Sequence, residues 1–304
     1  MAIEATGVAY ADIVMRRGLY EGAKPPVTPG YDLIGRVEEI GEGVAGLVVG
    51  QRVAGITVTG SYATHRNVDA RWLVGAPETV DAASLVAATL NGVTAWQMLH
   101  RIASPAQGES ILVHGAAGGV GTMLLDLARL DGIRALGAAS PAKHDEISAR
   151  GATPIDYTRE DVSARAREVS GGVVAAFDHI GGAHARRVSM AALRPGGVTV
   201  LYGAYDATRD GKVRPLNIAK LMLGQRFSSF DLFRASQGIV GYSVAVWRDH
   251  RTTAYRHDLS QVLQRVGAGT IKPLVGATFP LAQAAQAHRA LESRAVAGKV
   301  VLLT

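Results

Sequence analysis

At 304 residues, with 48% hydrophobic and 19% charged residues, the chain has the length of a two-domain globular protein and is too apolar to be disordered. It contains no cysteine, which excludes disulfides, thiolate zinc sites and thiol nucleophiles together. The net charge of +6 is spread over scattered arginines, and its densest cluster, Arg248 to His257, is interleaved with an acid, so a solvated face is expected there rather than a nucleic-acid interface.

No apolar run approaches the roughly 18 residues of a membrane helix. The first residues, Met1-Ala2-Ile3-Glu4, lack a signal-peptide pattern, so a soluble, cytoplasmic protein is expected. The first ninety residues read as β-rich. Strands are predicted at Gly35–Ile40 and Gln51–Ile56, between glycine-rich turns. Helical apolar spacing follows over Asp81–Arg101, and then strands and helices alternate. Strands are predicted at Ser110–His114, Ile133–Ala138, Pro154–Tyr157, Val173–Phe177 and Val198–Tyr202. Helices are predicted at Gly119–Leu130, Lys143–Arg150 and Ala183–Leu193. Apolar strands separated by helices imply a parallel sheet covered on both faces. The tail carries one more predicted helix, Tyr255–Val266, and a last strand, Lys299–Leu303.

Between the first of these parallel strands and its helix stands His114-Gly115-Ala116-Ala117-Gly118-Gly119-Val120-Gly121. Ala116, Gly118 and Gly121 fill the three positions of a G-x-G-x-x-G loop, with alanine at the first. Small residues let the backbone approach a pyrophosphate, and the helix N-terminus offers it unpaired amides. A dinucleotide is therefore expected along Ala117, Gly118, Gly119, Val120 and Gly121. An NAD site would place an acid about 20 residues on, to hold the ribose 2′-hydroxyl. The strand end here reads Ala138-Ala139-Ser140-Pro141-Ala142-Lys143 and has none. Ser140 and Lys143 offer a hydroxyl and a cation for a 2′-phosphate, and Tyr157 ends the next strand, so the expected cofactor is NADP(H).

With these residues placed, the chain resembles the medium-chain dehydrogenase/reductase superfamily, most of all its zinc-free quinone oxidoreductase branch with the vesicle-membrane-protein-like members. The resemblance rests on Ala5-Thr6-Gly7-Val8, Arg17-Gly18-Leu19-Tyr20, Pro29-Gly30-Tyr31-Asp32, Gly50-Gln51-Arg52-Val53, Val93-Thr94-Ala95-Trp96, the His114–Gly121 loop, Leu193-Arg194-Pro195-Gly196-Gly197 and Gly298-Lys299-Val300-Val301-Leu302. It implies an α/β fold: a Rossmann doubly wound parallel sheet over residues 93–249, and a discontinuous, β-rich GroES-like domain over 1–92 and 250–304. Relatives open with a β-hairpin that precedes this chain's first residue: either the start is assigned late, or those strands are absent and the shortened GroES-like domain has an exposed edge and a more open cleft. The resemblance also implies a homodimer, and an NADPH-dependent reduction of a conjugated carbonyl (quinone, enone or enoyl compound) in a cleft between the domains. An altered or non-reductive biosynthetic reaction on the same fold is the second reading, and a non-enzymatic NADPH or RNA binder the third.

Where zinc-dependent relatives hold their catalytic metal with Cys and His, this chain has Ala9 and Tyr31, and its nine histidines show no paired ligand spacing; no metal is expected. Zinc-free relatives have Asn at the position of Ala9, so a polar group of the usual pocket is lost. The resemblance puts Tyr20 opposite the nicotinamide, where it either donates a proton or only walls the pocket. Thr94 matches the residue contacting the nicotinamide end, and Asn91 joins it. Asp12 is read as a structural hydrogen-bonding residue. His179 either touches the cofactor through its backbone or faces solvent, and Gly203 makes room for the cofactor.

Overall fold

The computed structural model describes residues 1–20, 22–205 and 227–304. In chain order its strands are β1 (Ala2–Val8), β2 (Asp32–Arg36), β3 (Arg52–Ile56), β4 (Leu73–Gly75), β5 (Ser110–His114), β6 (Arg134–Ala139), β7 (Thr153–Asp156), β8 (Val173–Asp178), β9 (Leu193–Leu201), β10 (Gly238–Gly241), β11 (Val275–Pro280) and β12 (Lys299–Leu303). The first four helices are α1 (Tyr10–Arg16), α2 (Ala82–Trp96), α3 (Gly119–Leu130) and α4 (His144–Ala149). The chain separates into two compact units, Met1–Thr94 with Val244–Thr304, and Ala95–Ser243.

The first unit is built on a mixed sheet in the order β11-β12-β1-β2-β3-β4. Its last strand returns to the first: β12 pairs antiparallel with β1 from Ala5↔Leu303 to Val8↔Val300. A buried ion pair ties these strands together. Asp32 and Lys299 meet at 3.3 Å with almost no exposure, and Asp32 also accepts the amides of Gly7 and Leu90. That buried acid explains a displaced strand. The apolar pattern predicts Gly35–Ile40, whereas β2 begins at Asp32, and Ile40 lies exposed in the loop beyond. β1 is paired on both sides, and the edges of this sheet are β4 and β11.

The tail is richer than its pattern suggested. Besides a helix over Thr252–Gly267 it holds β11 and a second helix, Ala284–Glu292. In β11 burial alternates between half-buried and exposed, and the second helix is only nine residues long with an inward stripe, Ala284, Ala287 and Leu291, that is mostly alanine, so neither stands out as an apolar run.

In the second unit six parallel strands run in the order β10-β9-β8-β5-β6-β7. Read outward from β5 this is the doubly wound order with its switch point between β5 and β8, where such sheets bind ligands at the carboxyl ends. Leu112, Leu136, Ile155, Val173 and Ala176 fill the core. β5 and α3 have the bounds their sequence predicts. Elsewhere helices are interrupted. The predicted Asp81–Arg101 helix ends as α2 at Trp96 and continues as a π-helical stretch, Gln97–Ala103. The predicted Lys143–Arg150 helix starts with a 3-10 turn, Pro141–Lys143, before α4. The predicted Ala183–Leu193 helix is Gly182–His184, a π-helical Ala185–Ser189, and Met190–Ala192, and Leu193 already opens β9. β10 was not predicted, since two of its four residues are glycine.

Candidate functional site

The loop after β5 is shaped by close backbone approach. Gly115 turns at φ +64°, and Ala116 and Ala117 are buried beneath the turn. Gly118 then caps α3 in an extended conformation, without a side-chain hydrogen bond to the helix. The amides of Gly119, Val120 and Gly121 therefore have no intrahelical acceptor, and they stand at the positive end of the helix dipole. A side chain at Gly121 would lie 2.4 Å from the Gly115 carbonyl oxygen and 2.6 Å from that of Ala116. Glycine is thus required there by the backbone itself. The loop fits a pyrophosphate: small residues, donor amides and no competing side-chain cap.

At the far end of this edge β6 and β7 are in parallel register, with Ala139 opposite Asp156. Ser140 and Tyr157 therefore leave neighbouring strands at the same level. Ser140 accepts the Lys143 amide at 2.9 Å, Tyr157 is 55% exposed, and burial holds the half-buried Lys143 ammonium below its usual pKa. The acid at the end of β7, Asp156, is occupied with the amide and hydroxyl of Thr158. A side chain at Gly203 would lie 2.6 Å from the His179 carbonyl oxygen. His179 itself packs against Gly115 and near Tyr202 and Tyr205.

In the first unit Asp12 is a connector. Its two oxygens accept the amides of Ala9 and Gly30, each at 2.8 Å, fixing the start of α1 to the strand entry at Tyr31. Burial pushes this carboxyl up to about 7 against those hydrogen bonds. Tyr62 bridges onward, its hydroxyl 3.4 Å from Asp12 Oδ2 and 3.0 Å from His288 Nε2. Tyr20 and Tyr31 bring their hydroxyls to 2.9 Å with edge-on rings. Sequence reading proposed Tyr20 but missed this partner, whose signal was its place at the zinc-ligand position. Asn91 and Thr94, three residues apart on α2, are both buried on one helix face. The Asn91 amide nitrogen finds no acceptor among the described residues.

A further cluster escaped the sequence altogether. His114 ends β5 and Asp178 ends β8, 64 residues later, yet the sheet makes these strands neighbours. Asp178 Oδ1 accepts the amides of Ile180 and Gly181, while Oδ2 lies 2.9 Å from His184 Nδ1 and 2.5 Å from Ser189 Oγ. Ser189 Oγ is also 3.0 Å from His114 Nε2. Burial alone would raise the Asp178 carboxyl. The His184 hydrogen bond, the nearby imidazoles and Ser189 outweigh it and hold the group well below the usual carboxylate range. Burial lowers His114 to about 3, so its ring is neutral. The histidine spacing along the chain could not show this grouping, because the crossover brings it together.

Comparison with known proteins gives the family of the fold. The family model described as "Zinc-binding dehydrogenase" matches residues 151–302, and "Alcohol dehydrogenase GroES-like domain" matches residues 1–78. The chain is 30% identical to the synaptic vesicle membrane protein VAT-1 homolog of Danio rerio over 99% of its length, and it spans 63% of that relative. It is 30% identical to the 2-haloacrylate reductase of a Burkholderia species, covering 98% of this chain and 88% of the relative. The quinone oxidoreductase of Escherichia coli, solved in complex with NADPH, superposes with a TM-score of 0.86 at 25% identity, over all of this chain and 90% of that one. No helix among the described residues is long and apolar enough to cross a membrane. The chain belongs to the medium-chain dehydrogenase/reductase superfamily, in its quinone oxidoreductase and VAT-1-like branch.

Proposed function

We propose that this protein is an NADPH-dependent, zinc-independent reductase of conjugated carbonyl compounds. The observation that carries the reading is the acid-free strand end beside the glycine loop. The uncapped amides of α3 suit a pyrophosphate, and Ser140, Lys143 and Tyr157 stand where a 2′-phosphate would need donors. NADPH in the related E. coli structure supports the choice. When bound, the reduced nicotinamide supplies the hydride.

The chain's own groups do the rest. Gly119, Val120 and Gly121 bind phosphate through their amides. Lys143 supplies positive charge and Ser140 a hydroxyl. Asn91 and Thr94 offer a polar pair, and the Asn91 amide, without an acceptor among the described residues, has a hydrogen bond to give to a ligand carbonyl. Tyr20 holds a proton at its hydroxyl for the enolate that follows hydride addition, and Tyr31, hydrogen-bonded to it, orients the phenol. The absence of cysteine, with Ala9 and Tyr31 at the positions where zinc-dependent relatives have metal ligands, supports chemistry without catalytic zinc. A haloacrylate, the compound in the Burkholderia relative's name, is itself a conjugated acid derivative. A homodimer in the cytoplasm belongs to the same reading.

The test is NADPH oxidation with a panel of quinones and enones. Steady turnover is expected, with Tyr20→Phe lowering kcat about 100-fold, the low end of general-acid contributions. Folded protein that binds NADPH and turns over none of the panel contradicts it.

A further inference from the structure

The geometry points to a divalent-metal site of zinc-like preference at the switch point of the parallel sheet, formed by His114, Asp178 and His184. One nitrogen of each imidazole and one carboxylate oxygen lie within 4.8 Å of one another. Ligand atoms around a tetrahedral ion with bonds near 2.1 Å stand roughly 3.4 Å apart. Closure on an ion thus needs shifts of about an ångström, opening the 2.9 Å contact between Asp178 and His184 and shortening the widest pair.

The chemistry of the three groups fits. The Ser189 hydroxyl, 2.5 Å from Asp178, gives its one proton to the carboxylate, so His114 Nε2 carries the hydrogen toward Ser189. The proton of His184 Nδ1 likewise points at Asp178. An ion takes the place of these two inward protons once each ring carries its hydrogen on the other nitrogen. The outer contacts are built too: the amides of Ile180 and Gly181 fix Oδ1, and Ser189 steadies Oδ2.

The cluster also lacks a fixed positive charge. Asp178 is fully buried, and among the described residues it forms an ion pair with no lysine or arginine; its only cationic partner is His184, charged only when protonated. A bound dication supplies that charge permanently. His184, with a side chain 25% exposed, gives the ion a way in. Three protein ligands leave a fourth position for water. The ion would fasten the turn after β8 to the end of β5, separately from the hydride chemistry proposed above.

The test uses the full chain, stripped with chelator and titrated with Co²⁺, whose visible absorption reports tetrahedral nitrogen and oxygen ligation. One saturable equivalent is expected. His184→Ala should weaken it at least about tenfold, and Ser189→Ala, which removes only an outer contact, by about tenfold or more. Circular dichroism confirms the fold, and His184→Gln serves if the alanine variant is unstable. No saturable binding, or equal binding by wild type and a folded His184 variant, overturns the site.

Discussion

A side chain on Gly121 would meet the carbonyl oxygen of Gly115 at 2.4 Å, so the first turn of α3 rests directly on the turn that leaves β5. The obstacle is backbone and cannot swing aside. Gly121→Ala is expected to cost about 1–3 kcal/mol in urea denaturation, as overpacked sites do. It should also lower NADPH affinity by about tenfold or more, because the phosphate-facing amides must shift. Unchanged stability and affinity would show that α3 is not held this way.

Asp12 and His288 sit on either side of Tyr62 and titrate with opposite signs. Burial raises Asp12 to about 7, so the folded state holds its proton more tightly than the unfolded chain does. Its contribution is full below the unfolded carboxylate pKa and is lost as pH rises toward 7. Burial lowers His288 to about 4, so its contribution is full above the unfolded imidazole pKa and is lost as pH falls toward 4. Stability of Asp12→Asn relative to wild type is therefore expected to improve steadily from pH 4 to 7. That of His288→Gln should worsen over the same window. Chemical denaturation at several pH values measures both slopes, and parallel curves for wild type and variants would refute the assignment.

Lys299 carries the returning strand β12 onto Asp32, with both charges buried. Removing one partner strands the other charge. Lys299→Met is expected to cost about 3–5 kcal/mol, and the double variant with Asp32→Asn clearly less than the sum of the two single changes. Urea denaturation of all three variants completes the cycle; additive losses would mean that the pair does not interact.

The elements legible in the sequence were those with an uninterrupted signal. The apolar run of β5, the small residues after it and the helix Gly119–Leu130 carry their pattern within a few residues. The strand at Asp32 was displaced because its buried acid is satisfied by Lys299, 267 residues away. The edge strands β10 and β11 bury too little apolar surface to show a period, and the helix Ala284–Glu292 is short, with an inward stripe made mostly of alanine. At the candidate site, residue type and loop pattern pointed to Ser140, Lys143 and Tyr157. The partnership of Tyr20 with Tyr31 is made across the irregular segment between α1 and β2, and that of His114 with Asp178 through the neighbouring of β5 and β8, neither of which a local period records.

The central claim is that the edge formed by the glycine loop, Ser140 and Lys143 selects NADPH over NADH. Equilibrium titration of the full chain with each nucleotide, followed by nucleotide fluorescence, tests it most directly. NADPH is expected to bind at least about tenfold more tightly, the worth of one charge-assisted hydrogen bond. Lys143→Ala should remove most of that difference, and Ser140→Asp should reverse it. NADH binding as tightly as NADPH to the wild-type chain, or a preference untouched by both substitutions, would contradict the account.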